Sequence, residues 1–348
     1  MHSDNEVLFE ELKGIEGDVG LMTLNRPQVL NSLNHSMILA MHEQLRAWEA
    51  APHIKAVIIC AAPGRAFCAG GDLRFTYDRF KQHDLSLADF FRDEYQLNQY
   101  IYHYPKPYIA LLNGITMGGG VGISIHGSHR IATEQLIFAM PETGIGFFPD
   151  VGGTYFLPRL PYLIGYYIGL TGIKLTSDDC VALGIAQQKI SQDQLPELIY
   201  ALVNSPLYGD KKQAVTEIIQ PFQISCDSSL MDDAGIIETC FSKLTVEDIL
   251  AALHDAPAAM CQEAAHLIKK KSPTSLKVSL RAMQEGKLLE FDACMQQEYR
   301  LTCRFLQGHD FAEGIRAVIV DKDHTPMWQP ATLDKVMHDD VQSYFSSF

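Results

Sequence analysis

Short apolar runs alternate with amphipathic stretches along the first third of the chain. The runs Val19–Leu24, Ala56–Cys60 and Tyr108–Leu112 have the length of buried strands. Between the first two runs, large apolar residues recur at helical spacing from Met37 to Trp48. Buried strands that alternate with helices are typical of a largely parallel sheet. The pattern therefore predicts an α/β fold.

Helical spacing predominates further along the chain. Four more helices are predicted at Phe75–Tyr104, Tyr162–Thr171, Ser177–Leu183 and Leu288–Phe305. Between residues 205 and 232 the composition shifts towards Ser, Asp and Pro without a clear period, which is typical of a boundary. We therefore predict a core at residues 1–225 and a mainly helical region at residues 226–348.

Composition and charge exclude several classes of protein. The 348 residues carry a formal net charge of −14, which argues against nucleic acid or an anionic membrane as a partner. The eight cysteines form no CxxC pair and no Cys/His group has zinc-site spacing, so we expect reduced thiols, a cytoplasmic location and no bound metal. The N-terminal residues are acidic and lack the apolar run of a secretion signal.

One uncharged segment, Pro107–His129, has about the length of a membrane span. It is interrupted by Asn113 and several glycines, and it contains two histidines. These residues predict a buried strand, a turn and a helix instead.

Candidate chemistry is concentrated between Met117 and Thr154, inside the predicted core. Gly118–Gly120 opens a predicted helix, whose first backbone N–H groups can bind an anion or a developing oxyanion. Glu142 and Asp150 follow in an otherwise apolar segment, where burial can raise the pKa of a carboxyl group. Each feature alone is common in loops and helix caps. Both kinds within one short segment favour an active site.

A second glycine-rich turn, Phe67–Asp72, strengthens this interpretation. An oxyanion hole needs two N–H donors, and a pair of such turns can supply both.

These motifs resemble those of the crotonase (enoyl-CoA hydratase/isomerase) superfamily. The superfamily motifs are Asn25–Pro27, Arg65–Asp72, Asn113–Gly120 and Pro141–Thr154. Segments similar to the branch that hydrolyses 3-hydroxyacyl-CoA thioesters are Phe90–Tyr95, Phe147–Leu160, Ser272–Lys277 and Gly308–Asp323. The resemblance spans nearly the whole chain. It implies a crotonase-like spiral of repeated ββα units with a mainly helical C-terminal region.

The resemblance also implies roles for individual residues. Gly71 and Gly119 match the two oxyanion N–H donors, and Glu142 matches the catalytic glutamate of the superfamily. Asp150 stands where a hydratase typically has glycine, whereas Gly122 stands where a hydratase has its second glutamate. Because hydration of a double bond needs both glutamates, this exchange favours thioester hydrolysis.

The implied mechanism leaves the role of Glu142 open. It can attack the thioester carbonyl and form an anhydride, or it can activate a water molecule. Asp150 would orient water or the substrate hydroxyl and take part in proton transfer. Substrate binding is expected from Glu94, Gly119, Glu142 and Asp150. Tyr95 and the tyrosines that follow it are expected to pack over the acyl pocket.

Two arginines are candidates for binding the polyanionic CoA moiety. Arg26 and Arg65 stand beside the turns that are expected to face CoA, although each can equally be a surface charge.

The resemblance implies a thioester hydrolase that cleaves 3-hydroxyisobutyryl-CoA to the free hydroxy acid and CoA, a step of valine degradation. CoA is part of this substrate, and no further cofactor is expected. Preference over 3-hydroxypropionyl-CoA stays open, since one methyl group is worth only about 1–3 kcal/mol in a pocket. The alternatives are an enoyl-CoA hydratase or isomerase and a non-catalytic acyl-CoA-binding protein. Superfamily members often form trimers, so a homo-oligomer is a further expectation.

Overall fold

The computed structural model describes residues 6–82 and 86–346. Within these ranges the structure has ten strands and sixteen α-helices. The strands are β1 (Val7–Leu12), β2 (Asp18–Leu24), β3 (Ile54–Ala61), β4 (Ala66–Cys68), β5 (Tyr108–Leu112), β6 (Ile115–Met117), β7 (His129–Thr133), β8 (Ile137–Ala139), β9 (Leu175–Thr176) and β10 (Gln188–Ile190).

The helices fall between and after these strands. They are α1 (His35–Ala50), α2 (Leu73–Lys81), α3 (Leu87–Tyr102), α4 (Gly119–Ile125), α5 (Gly153–Phe156), α6 (Ile164–Thr171), α7 (Ser177–Ala182), α8 (Leu195–Asn204), α9 (Lys211–Ile219), α10 (Ala234–Phe241), α11 (Val246–Asp255), α12 (Ala259–Ile268), α13 (Pro273–Gly286), α14 (Phe291–Phe305), α15 (Asp310–Ile315) and α16 (His338–Phe345). In the part of the chain that the structure describes, no helix combines the length and the apolar composition that crossing a bilayer requires.

The described chain packs as two compact units, each built from separate segments. The first unit contains the described residues up to Gly71, together with Gln96–Phe138 and Leu175–Ser228. The second unit contains Asp72–Tyr95, Ala139–Lys174 and the described residues from Ser229 onward. The proposed boundary between residues 225 and 226 stays a prediction. The two compact units do not divide at that boundary, because the second unit also includes two segments that precede it.

A six-stranded sheet forms the centre of the first unit. Its order is β1-β2-β3-β5-β7-β10, with β1 antiparallel to β2 and the other neighbours parallel. Val19, Ile58, Ile109 and Ile131, one from each of four adjacent strands, are fully buried in one core cluster. Side chains buried along most of a strand are typical of parallel sheets covered on both faces. The expected α/β architecture is therefore present.

Local sequence explains why most of the predicted elements form. Asn34 caps α1 by accepting a hydrogen bond from the Met37 amide at 3.0 Å, and the apolar face predicted from Met37 to Trp48 is buried. The uncharged segment forms β5 and α4, as predicted, and not a membrane span. Strand β1 was missed because its alternation is weak: it is an edge strand with Glu10 and Glu11 exposed.

The stretch Phe75–Tyr104 is helical as predicted, but it forms two helices, α2 and α3. Asp72 caps α2 by accepting a hydrogen bond from the Phe75 amide at 3.2 Å. The last turn of α2 tightens where the Gln82 amide donates to the Arg79 carbonyl at 3.1 Å. Apolar periodicity detects both helices but not the break between them.

A smaller sheet in the first unit carries the two glycine-rich turns. Its order is β4-β6-β8-β9, and β4 and β6 are parallel neighbours. Residues 69–71 follow β4, and Gly118 with α4 follows β6. Because the strands are parallel, both turns follow carboxyl ends that lie at the same end of the sheet.

The second unit is mainly helical and has an aromatic core. Phe147 stacks on Phe311 with ring centroids 4.6 Å apart, and Phe148 stacks on Phe305 at 5.4 Å. Phe147 and Phe148 stand between Glu142 and Asp150 in the sequence, so their packing fixes the backbone of this segment. After Ile190 the described residues form helices and turns without strands, as the predicted helical C-terminal region requires.

Candidate active site

The two glycine-rich turns of the first unit lie against each other. Gly70 has φ of 105°, a conformation that favours glycine. A Cβ atom built on Gly70 would lie 3.4 Å from the Met117 carbonyl oxygen and 3.7 Å from the Gly119 nitrogen. The structure therefore brings together the two turns that the sequence predicts as oxyanion donors.

Close backbone packing holds this arrangement. A Cβ atom on Gly120 would lie 2.2 Å from the Cys68 carbonyl oxygen, so only glycine lets α4 approach β4 this closely. Helix α4 begins at Gly119, and the first amides of a helix have no acceptor within that helix. The first turn is anchored by the Leu33 amide, which donates to the Gly70 carbonyl at 2.8 Å. That Gly71 and Gly119 donate to one oxyanion stays a prediction.

Four acidic residues of the second unit are buried together. Glu94 is 2% exposed, Glu142 6%, Asp150 5% and Glu298 0%. Burial raises the pKa of Glu94 and of Glu142 well above the usual range, and the Asp150 charge raises both further. The structure thus brings together the three acidic residues predicted from the sequence and adds a fourth.

Asp150 is held by a chain of hydroxyl groups. The Tyr95 hydroxyl donates to Asp150 Oδ2 at 2.6 Å and lies 2.7 Å from the Thr302 hydroxyl oxygen. Burial raises the pKa of Asp150 to about 7, while the Tyr95 hydrogen bond acts in the opposite direction. That Tyr95 packs over the acyl pocket stays a prediction, and the structure adds that its hydroxyl is bonded to Asp150, a contact that the sequence analysis did not anticipate.

Glu298 fixes the loop that follows Asp150. Its carboxylate accepts hydrogen bonds from the Gly152 amide at 2.8 Å, the Thr154 amide at 3.0 Å and the Thr154 hydroxyl at 2.6 Å. Burial raises its pKa to about 8, although the donated hydrogen bonds favour its charged form. The sequence analysis missed Glu298 because it is far along the chain in an amphipathic helix. Its polar position on the buried face of α14 was the only local signal.

Two solvent-shielded carboxylate oxygens in this cluster have no hydrogen-bond partner among the described residues. They are Oε1 of Glu94 and Oε2 of Glu142, and both are shielded from solvent. Buried polar atoms are nearly always satisfied by the protein or by a bound molecule. Unpartnered oxygens on two candidate residues favour a site that binds polar groups of a substrate.

The two candidate CoA-binding arginines differ in their surroundings. The Arg26 guanidinium forms an ion pair with Glu6 at 2.9 Å and donates to the Ser32 carbonyl at 2.7 Å. These contacts give it a structural role in its turn. Arg65 is exposed, and its guanidinium has no partner within residues 6–82 and 86–346. CoA binding by both arginines stays a prediction.

The fold and the buried acidic cluster define the class of protein. A family model described as enoyl-CoA hydratase/isomerase matches residues 19–345, and the chain belongs to this family. The crotonase-like fold class is confirmed.

The curated relatives include hydrolases. The 3-hydroxyisobutyryl-CoA hydrolase, mitochondrial, of Rattus norvegicus is 44% identical over 346 residues, which cover 98% of this chain and 89% of the relative. The protein of the same name from Homo sapiens is 42% identical over 354 residues, covering 99% and 90%. The resemblance to the hydrolase branch is confirmed.

Similar solved structures have other names. A carnitinyl-CoA dehydratase from Mycobacterium thermoresistibile has a TM-score of 0.90 and 40% identity, covering 99% of this chain and 97% of that chain. An enoyl-CoA hydratase from Rhodobacter sphaeroides 2.4.1 has a TM-score of 0.88 and 33% identity, covering 98% and 97%.

Proposed function

We propose that the chain is an acyl-CoA thioester hydrolase that cleaves 3-hydroxyisobutyryl-CoA to 3-hydroxyisobutyrate and CoA. The observation that carries this proposal is the burial of Asp150 beside Glu142, with Tyr95 bonded to it. Full-length similarity to hydrolases with this substrate in their name supports it. Gly122, where a hydratase has its second glutamate, is buried in α4 and offers no acid or base.

The chemistry needs a charged Glu142 and a group that exchanges protons near neutral pH. In the covalent route, a Glu142 carboxylate oxygen bonds to the thioester carbon, the C–S bond breaks and CoA leaves as thiolate. Water then hydrolyses the anhydride and returns the Glu142 carboxylate. In the alternative route, Glu142 removes a proton from the attacking water. Asp150, with a pKa raised to about 7, is suited to accept and return a proton in either route.

The remaining roles are proposed on the same basis. The N–H groups of Gly71 and Gly119 are the proposed donors to the carbonyl oxygen as it becomes an oxyanion. The unpartnered Glu94 Oε1 is suited to accept a hydrogen bond from the 3-hydroxyl group of the substrate. Arg26 and Arg65 are the proposed CoA contacts. CoA enters as part of the substrate, and no other cofactor is proposed.

The pathway, the oligomeric state and the cellular compartment are further parts of the proposal. We place the reaction in valine degradation, and we retain a homo-oligomer without nucleic-acid or membrane partners. All eight cysteines are free, which is compatible with a reducing compartment such as the cytoplasm. The names of the rat and human relatives instead include the mitochondrion, and cell fractionation would separate the two compartments.

A panel of CoA esters assayed for thiol release tests the proposed activity. The panel contains 3-hydroxyisobutyryl-CoA, 3-hydroxypropionyl-CoA and crotonyl-CoA. We expect free thiol from the two hydroxyacyl esters, with the relative rates giving the acyl preference. Loss of the enoyl absorbance of crotonyl-CoA without thiol release would establish a hydratase, the activity that the names of the two solved structures favour. Binding without turnover of any ester would establish a non-catalytic protein.

A further inference from the structure

Lys271 lies against the backbone of the turn that carries Glu142. A Cβ atom built on Gly144 would lie 3.2 Å from Lys271 Nζ, and one built on Gly172 would also lie 3.2 Å from it. Gly144 belongs to the same 3-10 turn as Glu142, which spans Glu142–Ile145. A side chain at either glycine would therefore crowd the ammonium group. The two glycines leave the space that Lys271 occupies.

The backbone beside Lys271 is fixed to the same turn. The Ser272 amide donates to the Thr143 carbonyl at 3.2 Å, and Thr143 directly follows Glu142. The Ser272 hydroxyl caps α13 by accepting from the Ser275 amide at 3.1 Å and donates to Asp310 Oδ2 at 2.6 Å. The segment Ser272–Lys277, noted in the sequence, thus fixes the position of Lys271 relative to Glu142.

The Lys271 ammonium has no structural partner in residues 6–82 and 86–346. No hydrogen bond or ion pair forms at its Nζ atom, although the side chain is half-buried. The buried Lys55 provides a contrast, since its Nζ donates to the Val203 carbonyl at 2.9 Å and to the Ser205 carbonyl at 3.0 Å. The Lys271 side chain is only partly removed from water, so its ammonium can stay hydrated without a protein partner. The contacts of the described residues therefore give the Lys271 ammonium no structural role, and its charge is available to act on the neighbouring turn.

The groups that act on Glu142 are mostly negative or apolar. Burial and the charges of Asp150 and Glu298 raise the pKa of Glu142, whereas Lys271 opposes them. Burial lowers the pKa of Lys271, the Glu142 charge raises it, and the neighbouring Lys270 lowers it. Asp310, which packs nearby through Ser272, is already bonded to that serine and to the Gln329 amide.

We propose that Lys271 is a positioning residue for the reaction: its unpartnered ammonium, which lies against the turn of Glu142 in the space left by Gly144 and Gly172, favours the charged form of the Glu142 carboxylate. This inference rests on the proposed function, because a charged Glu142 is needed both for attack on the thioester and for activation of water. No ion pair joins Lys271 to Glu142, so the ammonium acts through its field. In a buried site that field is stronger than in water.

The dependence of kcat/KM on pH in three lysine variants tests the proposal. Lys271→Met should move the acid limb of the profile up by about one pH unit and lower the rate at pH 6 about tenfold. Lys271→Arg should restore most of the wild-type profile, because it keeps the charge. Lys270→Met changes an exposed neighbour, and its acid limb should stay within about 0.2 pH units of the wild-type limb. An acid limb that stays in place in folded Lys271→Met would overturn the proposal.

Gly144→Ala provides a second variant that keeps the lysine. The new methyl group would push the ammonium away from the turn by a few tenths of an ångström, and Gly144 does not have a positive φ, so alanine is compatible with its backbone. We expect a smaller shift of the acid limb in the same direction. If Lys271→Met fails to fold, an unshifted limb in Gly144→Ala overturns the proposal instead.

A titration of ¹³C-labelled glutamate carboxyl groups separates this proposal from the proposed activity. The Glu142 signal is assigned by its absence in Glu142→Gln. It should titrate at higher pH in Lys271→Met than in wild type, whether or not thiol is released. Absence of thiol release with a shifted Glu142 signal would reject the hydrolase and retain the role of the lysine charge. Thiol release with an unshifted Glu142 signal would support the hydrolase and reject the role of the lysine charge.

Discussion

The first unit presents backbone amides at two glycine turns, whereas the second unit buries four carboxyl groups. Amide groups do not titrate, and their positions follow from close backbone contacts such as that of Gly120 with Cys68. The carboxyl groups titrate, and their states depend on burial and on one another. Geometric changes in the first unit should therefore lower activity at every pH, whereas charge changes in the second unit should alter the dependence of activity on pH.

The two regions also differ in their cost to stability. Asp150 has a pKa of about 7 in the folded protein against an ordinary value of 3.8, so the unfolded chain loses its proton first as the pH rises. The contribution of Asp150 to folding stability is therefore greatest below the unfolded value and falls between these two pH values. The glycine turns have no such dependence. Keeping four carboxyl groups buried is explained by chemistry and not by stability.

The largest expected effect is that of Glu142→Gln in the second unit. The amide can neither attack a thioester nor accept a proton, so kcat should fall by about a thousandfold or more. Binding of the CoA ester should be largely kept, because the side chain has nearly the same shape. Thiol release and calorimetric binding of the ester measure the two quantities.

A matched control is Glu263→Gln, which changes an exposed glutamate on α12. It should have wild-type turnover. Wild-type rates in Glu142→Gln would show that Glu142 takes no part in the chemistry.

The next largest effect is expected from Gly120→Ala in the first unit. The added Cβ would lie 2.2 Å from the Cys68 carbonyl oxygen, so the two turns must move apart. Displacement of positioned groups by about 1 Å can cost on the order of a hundredfold, and we expect a loss of about 10- to 100-fold in kcat. The pH profile should keep its shape, because no charge has changed.

Gly235→Ala is the control for this prediction. A Cβ atom on Gly235 in α10 meets no atom within 4 Å, so the variant should be fully active. A shifted pH profile in Gly120→Ala would contradict the division of roles between amides and carboxyl groups.

The same contrast explains what could be predicted from the sequence. The glycine turns are local: β4 and its turn, and β6 with α4, each occupy a few consecutive residues with a readable pattern. Glu142 and Asp150 were also recognisable, because apolar neighbours surround them in one segment. The strands β4 and β6 and their parallel pairing were not predicted, because three residues are too few to show a period.

The rest of the cluster depends on contacts between distant segments. Glu298 is 144 residues after Thr154, to which it is bonded, and Thr302 is 207 residues after Tyr95. An amphipathic helix tolerates a polar residue on its buried face only if a partner exists, and the sequence alone does not identify that partner. Tyr95 was therefore interpreted as packing, and Glu298 was missed.

The smallest effect is expected from Tyr95→Phe, a variant that tests how the second unit controls the charge of Asp150. The Tyr95 hydroxyl donates to Asp150 at 2.6 Å and so stabilises its charged form. Without it, the pKa of Asp150 should rise further above about 7. A hydrogen bond to a charged group is worth about 1.5–3 kcal/mol against about 1 kcal/mol for a neutral one, so the loss of stability should be larger at pH 9 than at pH 5. Thermal unfolding at the two pH values measures this difference.

Tyr166→Phe removes the hydroxyl of another buried tyrosine of the second unit, a hydroxyl without a hydrogen bond among the described residues. Its effect on stability should be the same at both pH values. An equal loss at pH 5 and pH 9 in Tyr95→Phe would mean that Tyr95 contributes packing alone. A loss that grows with pH would show that the second unit controls the charge on Asp150 through a residue that does not titrate in this range, because burial holds the pKa of Tyr95 well above its usual value.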